Sequence, residues 1–588
     1  MPYCSSAERC HFCRARYAAP PLIRRAVSTL LLSFAAVTPA AGAADPIMPL
    51  GEVRAGMHCT GLSVVRGTQI AAFDVEVIDV IADDPAFGGA RLLVRVSGPA
   101  VDSTGVGPGF SGSPILCGGR NAGAISEGIG EYGNKVVLAT PIEAILSARP
   151  QPTPARARRA PGLLRAARPL AEPITASGLS PGARRLLGRA ARRIGRSVLA
   201  APPGPQGGYP PQDLRPGSAV AASISDGDIS IGAVGTVAYR DGDAIYAFGH
   251  PLEGLGRRSL FLQDAYVFSV IGNPLGINDL GATTYKLTSS GGHDLGAITN
   301  DTFSAISGRL GSAPASIPLR VSARRRSGGA AVTLSSRLAD ERALGLGSGL
   351  GFVAPLATQT ALDRLLGDFA PVTVRLCARY RVNQLRRPMG FCNTYFDPVD
   401  ALSAVAEAGS IVDSFDLAPL TIRGAAVSVA AEPGVIDEVI VGADGPPSVR
   451  RGETLPVRVA LRRRGGRPRT VGVRVPVPRD LGPGRHSLVI EGNGFSSGGG
   501  EIVFDVVEEL SRGWSRATTD LPPRTAQSEP GSVRELAREL AALSTPQGIT
   551  ARFHGRPPRL VLRSDEVRFD GRAKLRVRVL KPKRRARR

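Results

Sequence analysis

Apolar stretches in this chain are short, close to strand length, and they are cut repeatedly by glycine and proline. Of 588 residues, 71 are Gly and 48 are Pro, while aromatics make up only 5%. Runs such as "QIAAFDVEVIDVIA" and "ARLLVRVSG" alternate or stay apolar over a strand's length and then stop at a turn signal. That rhythm predicts a mainly β, turn-rich globular chain, too long for a single core and therefore divided into several domains. After the first 44 residues no segment has the roughly 18 uninterrupted apolar residues needed to span a bilayer, so the mature chain is expected to lack a transmembrane segment.

The N-terminal residues read as an export signal. Arg24 and Arg25 precede the apolar run "AVSTLLLSFAAVTPAAGA", which ends in the small-x-small pattern Ala41-Gly42-Ala43. Residues 1–44 are assigned to a signal peptide, with the mature chain starting near Ala44 in a secreted or extracytoplasmic location. The long lead before Arg24 is consistent with a misassigned start codon. Cys4, Cys10 and Cys13 leave with the leader, and a lone Cys-x-x-Cys there is weak ground for zinc, so neither metal nor cofactor is expected. Cys59, Cys117, Cys377 and Cys392 remain, an even number in an exported chain, which suggests disulfides. Three connectivities are open; Cys59 with Cys117 and Cys377 with Cys392 are favoured because each pair lies within one apparent domain.

The formal net charge is +23, and the positive charge is almost all arginine, the lysines being Lys135, Lys286, Lys574, Lys581 and Lys583. Codon bias alone would give such a balance. The arginines gather in a linker and a tail without a motif for reading bases, so a sequence-specific nucleic-acid partner is not expected. Loose association with anionic cell-envelope polymers is the remaining reading of the charge.

Composition divides the mature chain into six segments. Residues 45–148 form a β-rich half. Residues 149–215 are a Pro/Ala/Arg-rich linker with one helical island, "SPGARRLLGRAARRIGR", capped by Ser180 with Pro181 at its first position. A second β half spans 216–320 and contains a hairpin signal at Asp241-Gly242. Residues 321–430 are mixed, "ALDRLLGDF" and "DALSAVAEAGSIVDSF" reading as helices. Residues 431–510 suggest a β-sandwich. Residues 511–588 hold a helix capped by Ser532, with Glu535 three residues on, two strands and the basic run "KPKRRARR".

The chemistry centres on "TGVGPGFSGSPILCGG", residues 104–119. It lacks the Gly-Lys-Ser/Thr of a phosphate-binding loop, and Ser113 stands where a hydrolase nucleophile elbow needs glycine. It matches the Gly-x-Ser-Gly-Gly/Ser-Pro turn of chymotrypsin-like peptidases, in which the backbone N–H groups of Gly109 and Ser111 would form an oxyanion hole beside the Ser111 nucleophile. A structural turn is the alternative reading of the same hexapeptide. Such a serine needs a base. Among the histidines outside the leader and the C-terminal regions, His58 and His293 sit in plain contexts, whereas His250 closes a predicted strand in "YAFGHPL" between Gly249 and Pro251.

Two stretches, "GMHCTGLSVVRGTQIAAFDVEVIDV" with "STGVGPGFSGSPILCGGRNAGAISEG", and "LRPGSAVAASISDGDISIGAVGTVAYRDGDAIYAFGHPLEGLG" with "YKLTSSGGHDLGAITNDTFSAISGRLG", resemble the SpoIVB peptidase family (serine peptidase family fifty-five). The resemblance covers roughly residues 50–320. It implies a chymotrypsin-like double β-barrel and a serine endopeptidase acting on protein or peptide substrates, with Ser111 as nucleophile and His250 as general base. The order differs from the usual one, the serine half preceding the histidine half. Phe110 replaces the family's usual Met, and no PDZ domain is evident. For the triad acid, Asp102 is preferred and Asp264 is the alternative; either can instead be a turn residue. The rival reading is a catalytically inactive envelope protein that keeps the peptidase fold as a binding scaffold.

Overall fold

The computed structural model describes residues 45–84, 89–129, 133–150, 173–272, 284–367, 371–463, 466–493 and 530–581. The expected signal peptide, residues 151–172 of the arginine-rich linker and nearly all of the basic tail lie outside the described residues.

The serine-bearing half is a closed six-stranded barrel. Its strands are β1 (His58–Arg66), β2 (Gln69–Asp84), β3 (Gly89–Ser97), β4 (Pro114–Cys117), β5 (Arg120–Gly128) and β6 (Val136–Pro141), paired in the order β1-β2-β3-β6-β5-β4 and back to β1. Alternation along these strands turns Phe73, Val75, Val77, Leu92, Val94 and Val96 inward, where Phe110 and Ile115 complete the core. A disulfide joins Cys59 to Cys117 beside the pairing of Thr60 with Leu116, tying β1 to β4 just after the serine turn. A short helix, α1 (Ile142–Leu146), follows β6.

Within the segment read as a linker, residues 149–215, lie β7 (Ile174–Ser177), α2 (Pro181–Arg193) and β8 (Val198–Ala200), both strands joining a large sheet. As its sequence predicted, α2 begins with the Ser180 hydroxyl accepting the Ala183 N–H at 3.2 Å, and Leu186 and Leu187 are buried. The histidine-bearing half follows with β9 (Ala219–Gly227), β10 (Ser230–Asp241), β11 (Ala244–Ala247), β12 (Gly256–Asp264), β13 (Val267–Gly272), β14 (Thr284–Thr288), β15 (Asp294–Asp301) and β16 (Ile306–Leu310). Pairings run β9-β12-β15-β16-β11-β10, and β10 pairs again with β9, which closes a second ring of six strands. The hairpin at Asp241-Gly242 is present between β10 and β11.

This ring is part of a larger sheet of thirteen strands. β18 (Val332–Ala339) pairs with β9 and with β17 (Ser316–Arg325); β17 runs parallel to β21 (Ile422–Pro433), which pairs with β19 (Val372–Val382) and, through it, β20 (Met389–Tyr395). Cys377 and Cys392 face each other across β19 and β20 and form the second disulfide. Helices α3 (Leu350–Leu366) and α4 (Pro398–Ser414) share a core with the extension and with α2.

The C-terminal part builds two sheets, of four and five strands, around one core that includes Leu455, Val457, Leu488, Ile490, Ile549 and Val577. Its strands come both from the region read as a sandwich and from the tail, since residues 548–580 supply four of them. Among the described residues no helix is long and apolar enough to cross a membrane.

Candidate functional site

Gly109 and Gly112 shape the serine turn. Both have positive φ, 95° and 87°, where side chains are strained, and a Cβ on Gly112 would lie 1.9 Å from the Thr236 carbonyl oxygen. The turn is held by Phe110 N–H to Gly107 O at 2.9 Å and by Ser113 N–H to Phe110 O at 2.8 Å. Gly112 N–H donates to Ile125 O, and Ile125 N–H returns to Ser113 O, so β5 fixes the turn from its own barrel.

From the other barrel, Thr236 of β10 holds both halves of the site. Its N–H donates to the Ser111 carbonyl at 2.8 Å, and its own carbonyl accepts the Phe248 N–H at 3.2 Å. The Ser111 loop and the strand end that carries His250 are therefore neighbours on one residue. Gly235 leaves room beside them: a Cβ there would stand 2.6 Å from the Phe248 ring and 3.0 Å from the Ser111 hydroxyl oxygen. Gly249 lies against β5, and its carbonyl accepts the Thr140 hydroxyl at 2.7 Å.

His250 is 1% exposed and Ser111 0%. The imidazole Nδ1 lies 2.8 Å from the Pro251 carbonyl oxygen. A carbonyl only accepts, so Nδ1 carries the proton and Nε2 is the basic nitrogen. This is the tautomer that a general base working through Nε2 requires.

Neither aspartate proposed from sequence is bonded to His250 among the described residues. Asp102 is half exposed and pairs with Lys135 at 3.0 Å, the Lys135 hydrogen bond keeping its carboxyl below the usual range. Asp264 is buried but faces elsewhere: it accepts the Tyr209 hydroxyl at 2.9 Å, the Gln212 N–H at 2.9 Å and the His293 N–H at 2.7 Å, with His293 Nδ1 at 2.9 Å.

Sequence reasoning missed the carboxylate that does serve the histidine loop. Asp301, at the end of β15 and fully buried, accepts Leu252 N–H at 2.8 Å on one oxygen and Glu253 and Gly254 N–H at 2.9 Å on the other. Successive backbone donors around one anion make a rigid nest, here starting two residues after His250. Arg258 balances the charge, 3.6 Å from Asp301 and bonded to Glu341 at 2.9 Å and Glu253 at 2.5 Å. Burial pushes the Glu253 carboxyl up against the pull of Arg258. In the sequence Asp301 looks like any turn aspartate.

No family model, no curated protein and no solved structure matches the chain.

Proposed function

We propose that the chain is an extracytoplasmic serine endopeptidase built on a chymotrypsin-like pair of β-barrels, with Ser111 as nucleophile and His250 as general base. The observation that carries this reading is the junction at Thr236, which seats the serine turn and the histidine strand end on one residue, together with a His250 tautomer whose Nε2 is basic. The Ser111 hydroxyl oxygen attacks the substrate carbonyl carbon while Nε2 takes its proton. Backbone N–H groups of Gly109 and Ser111 stabilise the oxyanion. The imidazolium then protonates the leaving amine, and water, activated by the same nitrogen, releases the acyl group. The Pro251 carbonyl and the Asp301 nest take the orienting role that an aspartate plays in a triad. The two disulfides support an extracytoplasmic location.

Complete burial of Ser111 and His250 favours a second reading, the non-catalytic envelope scaffold. The two separate on labelling of purified protein lacking residues 1–44 with a fluorophosphonate probe. The peptidase reading expects label on Ser111, lost in Ser111→Ala and slowed at least about a hundredfold in His250→Ala. Label that persists in Ser111→Ala rejects the assignment, and a native chain that takes no label favours the scaffold.

A further inference from the structure

Lys286 is one of five lysines in a chain whose positive charge is otherwise arginine, and it lies in the interior, 2% exposed. Its strand is inverted: along β14 the polar Thr284, Lys286 and Thr288 are buried while Tyr285 and Leu287 are only half-buried. The Lys286 Nζ donates to the Ser63 hydroxyl at 2.7 Å and the Thr236 hydroxyl at 3.2 Å, and lies 4.4 Å from the centre of the Phe110 ring. Ser63 also receives the Ser113 hydroxyl at 2.9 Å. A desolvated ammonium is costly, and hydroxyl oxygens and an aromatic face compensate it.

These contacts converge on Gly109. Lys286 N–H donates to the Pro108 carbonyl at 2.9 Å. In a trans peptide the N–H points opposite to the C=O, so this bond turns the Gly109 N–H away from Lys286. On the other side, the Thr236 hydroxyl, itself held by Nζ, donates to the Gly109 carbonyl at 2.9 Å. The lysine stem covers Gly109, and a Cβ there would meet the Lys286 Cβ at 2.8 Å. Both peptides flanking Gly109 are thus oriented by one residue. An arginine's planar fork has neither the compactness nor the three-way donor geometry for this seat.

We propose that Lys286 is a positioning residue that fixes the Gly109 peptides and so keeps the Gly109 N–H aimed as an oxyanion donor; the proposal rests on the acyl-transfer reading of Ser111. The test measures second-order fluorophosphonate labelling rates at 25 °C for the native chain, Lys286→Met, Thr236→Val and the double variant, with folding of each checked by circular dichroism. Lys286→Met keeps the backbone N–H and the stem but loses the ammonium; it is expected to label at least about tenfold more slowly, a fraction of the loss seen when an oxyanion donor is deleted outright. Thr236→Val should show a similar loss. Because the lysine acts through the threonine hydroxyl, the double variant should label no more slowly than the slower single one. If Lys286→Met fails to fold, Thr236→Val decides alone. Unchanged labelling in the folded variants, or losses that simply multiply, overturns the proposal while leaving the Ser111 assignment standing. A native chain without label overturns both.

Discussion

Phe248 adopts φ 69°, a left-handed conformation that costs a bulky residue on the order of 1–3 kcal/mol, two positions before His250. The bond to Thr236 and the burial of its ring against Gly235 hold it there. The same region depends on Asp301 from the far side. Asp301→Ala leaves at least three backbone donors without their acceptor and Arg258 short of one carboxylate, so a loss of about 3–5 kcal/mol is expected in urea melts. Asp301→Asn keeps one acceptor oxygen but turns an amide toward N–H groups; about 1–3 kcal/mol is expected, with labelling at Ser111 slowed more than stability alone explains. Labelling unchanged in a folded Asp301→Asn would refute its role in the site. The backbone turn around Ser111 and the chain exit at His250 were legible because their signals are local, a glycine-rich hexapeptide and a Gly-His-Pro sequence. Asp301 and Lys286 were not, since the partners that define them stand 49 and 223 residues away.

At the scale of elements, helix caps carried over well. Ser180 and Ser532 cap helices that start where the sequence placed them, the second at α5 (Val533–Ala542). Helix α3 did not carry over so fully. Only its end, "ALDRLLGDF", reads as helical, yet the helix begins at Leu350 and runs through Pro355, because burial on nearly every side outweighs the propensity of a Gly- and Pro-containing stretch. Helix α4 offers a pH test. Asp400, in its first turn, has its carboxyl pushed up to about 6 by burial, with a further contribution from Asp397. Its folded value exceeds the unfolded one, so as pH rises the unfolded chain gives up this proton first. Stability is therefore lost between about pH 4 and pH 6 and stays lower above. Asp400→Asn is expected to raise stability at pH 8 by about 1 kcal/mol, allowing for screening of a half-exposed group, and to change nothing near pH 4. Urea melts at both values check the sign.

Across the whole molecule, composition divided the chain at 215/216, 320/321 and 430/431, but strands on either side of the first two lines share one sheet, through β10 with β7 and β18 with β9. Long-range pairing leaves no mark in local composition. The tail shows the same thing more strongly. After the first five described strands of the sandwich, α5 returns to the large mixed core, where Leu536 and Leu540 are fully buried and the helix packs on β20 and α4. Leu540→Ala is expected to cost about 2–5 kcal/mol. The loss should appear as weakened hydrogen-exchange protection in α4 and β20, more than a hundred residues earlier in the chain; protection lost only in the sandwich would contradict it.

Thr236 has one further consequence, for how such a chain is made. Synthesis delivers the serine turn more than a hundred residues before the strand that bonds it and the histidine that would activate it. On the peptidase reading, a nascent or truncated product ending before Thr236 carries the nucleophile without its base or its support. On that reading reactivity arises only when the second barrel has folded against the first, and the cell that makes the chain is shielded by the order of the two halves.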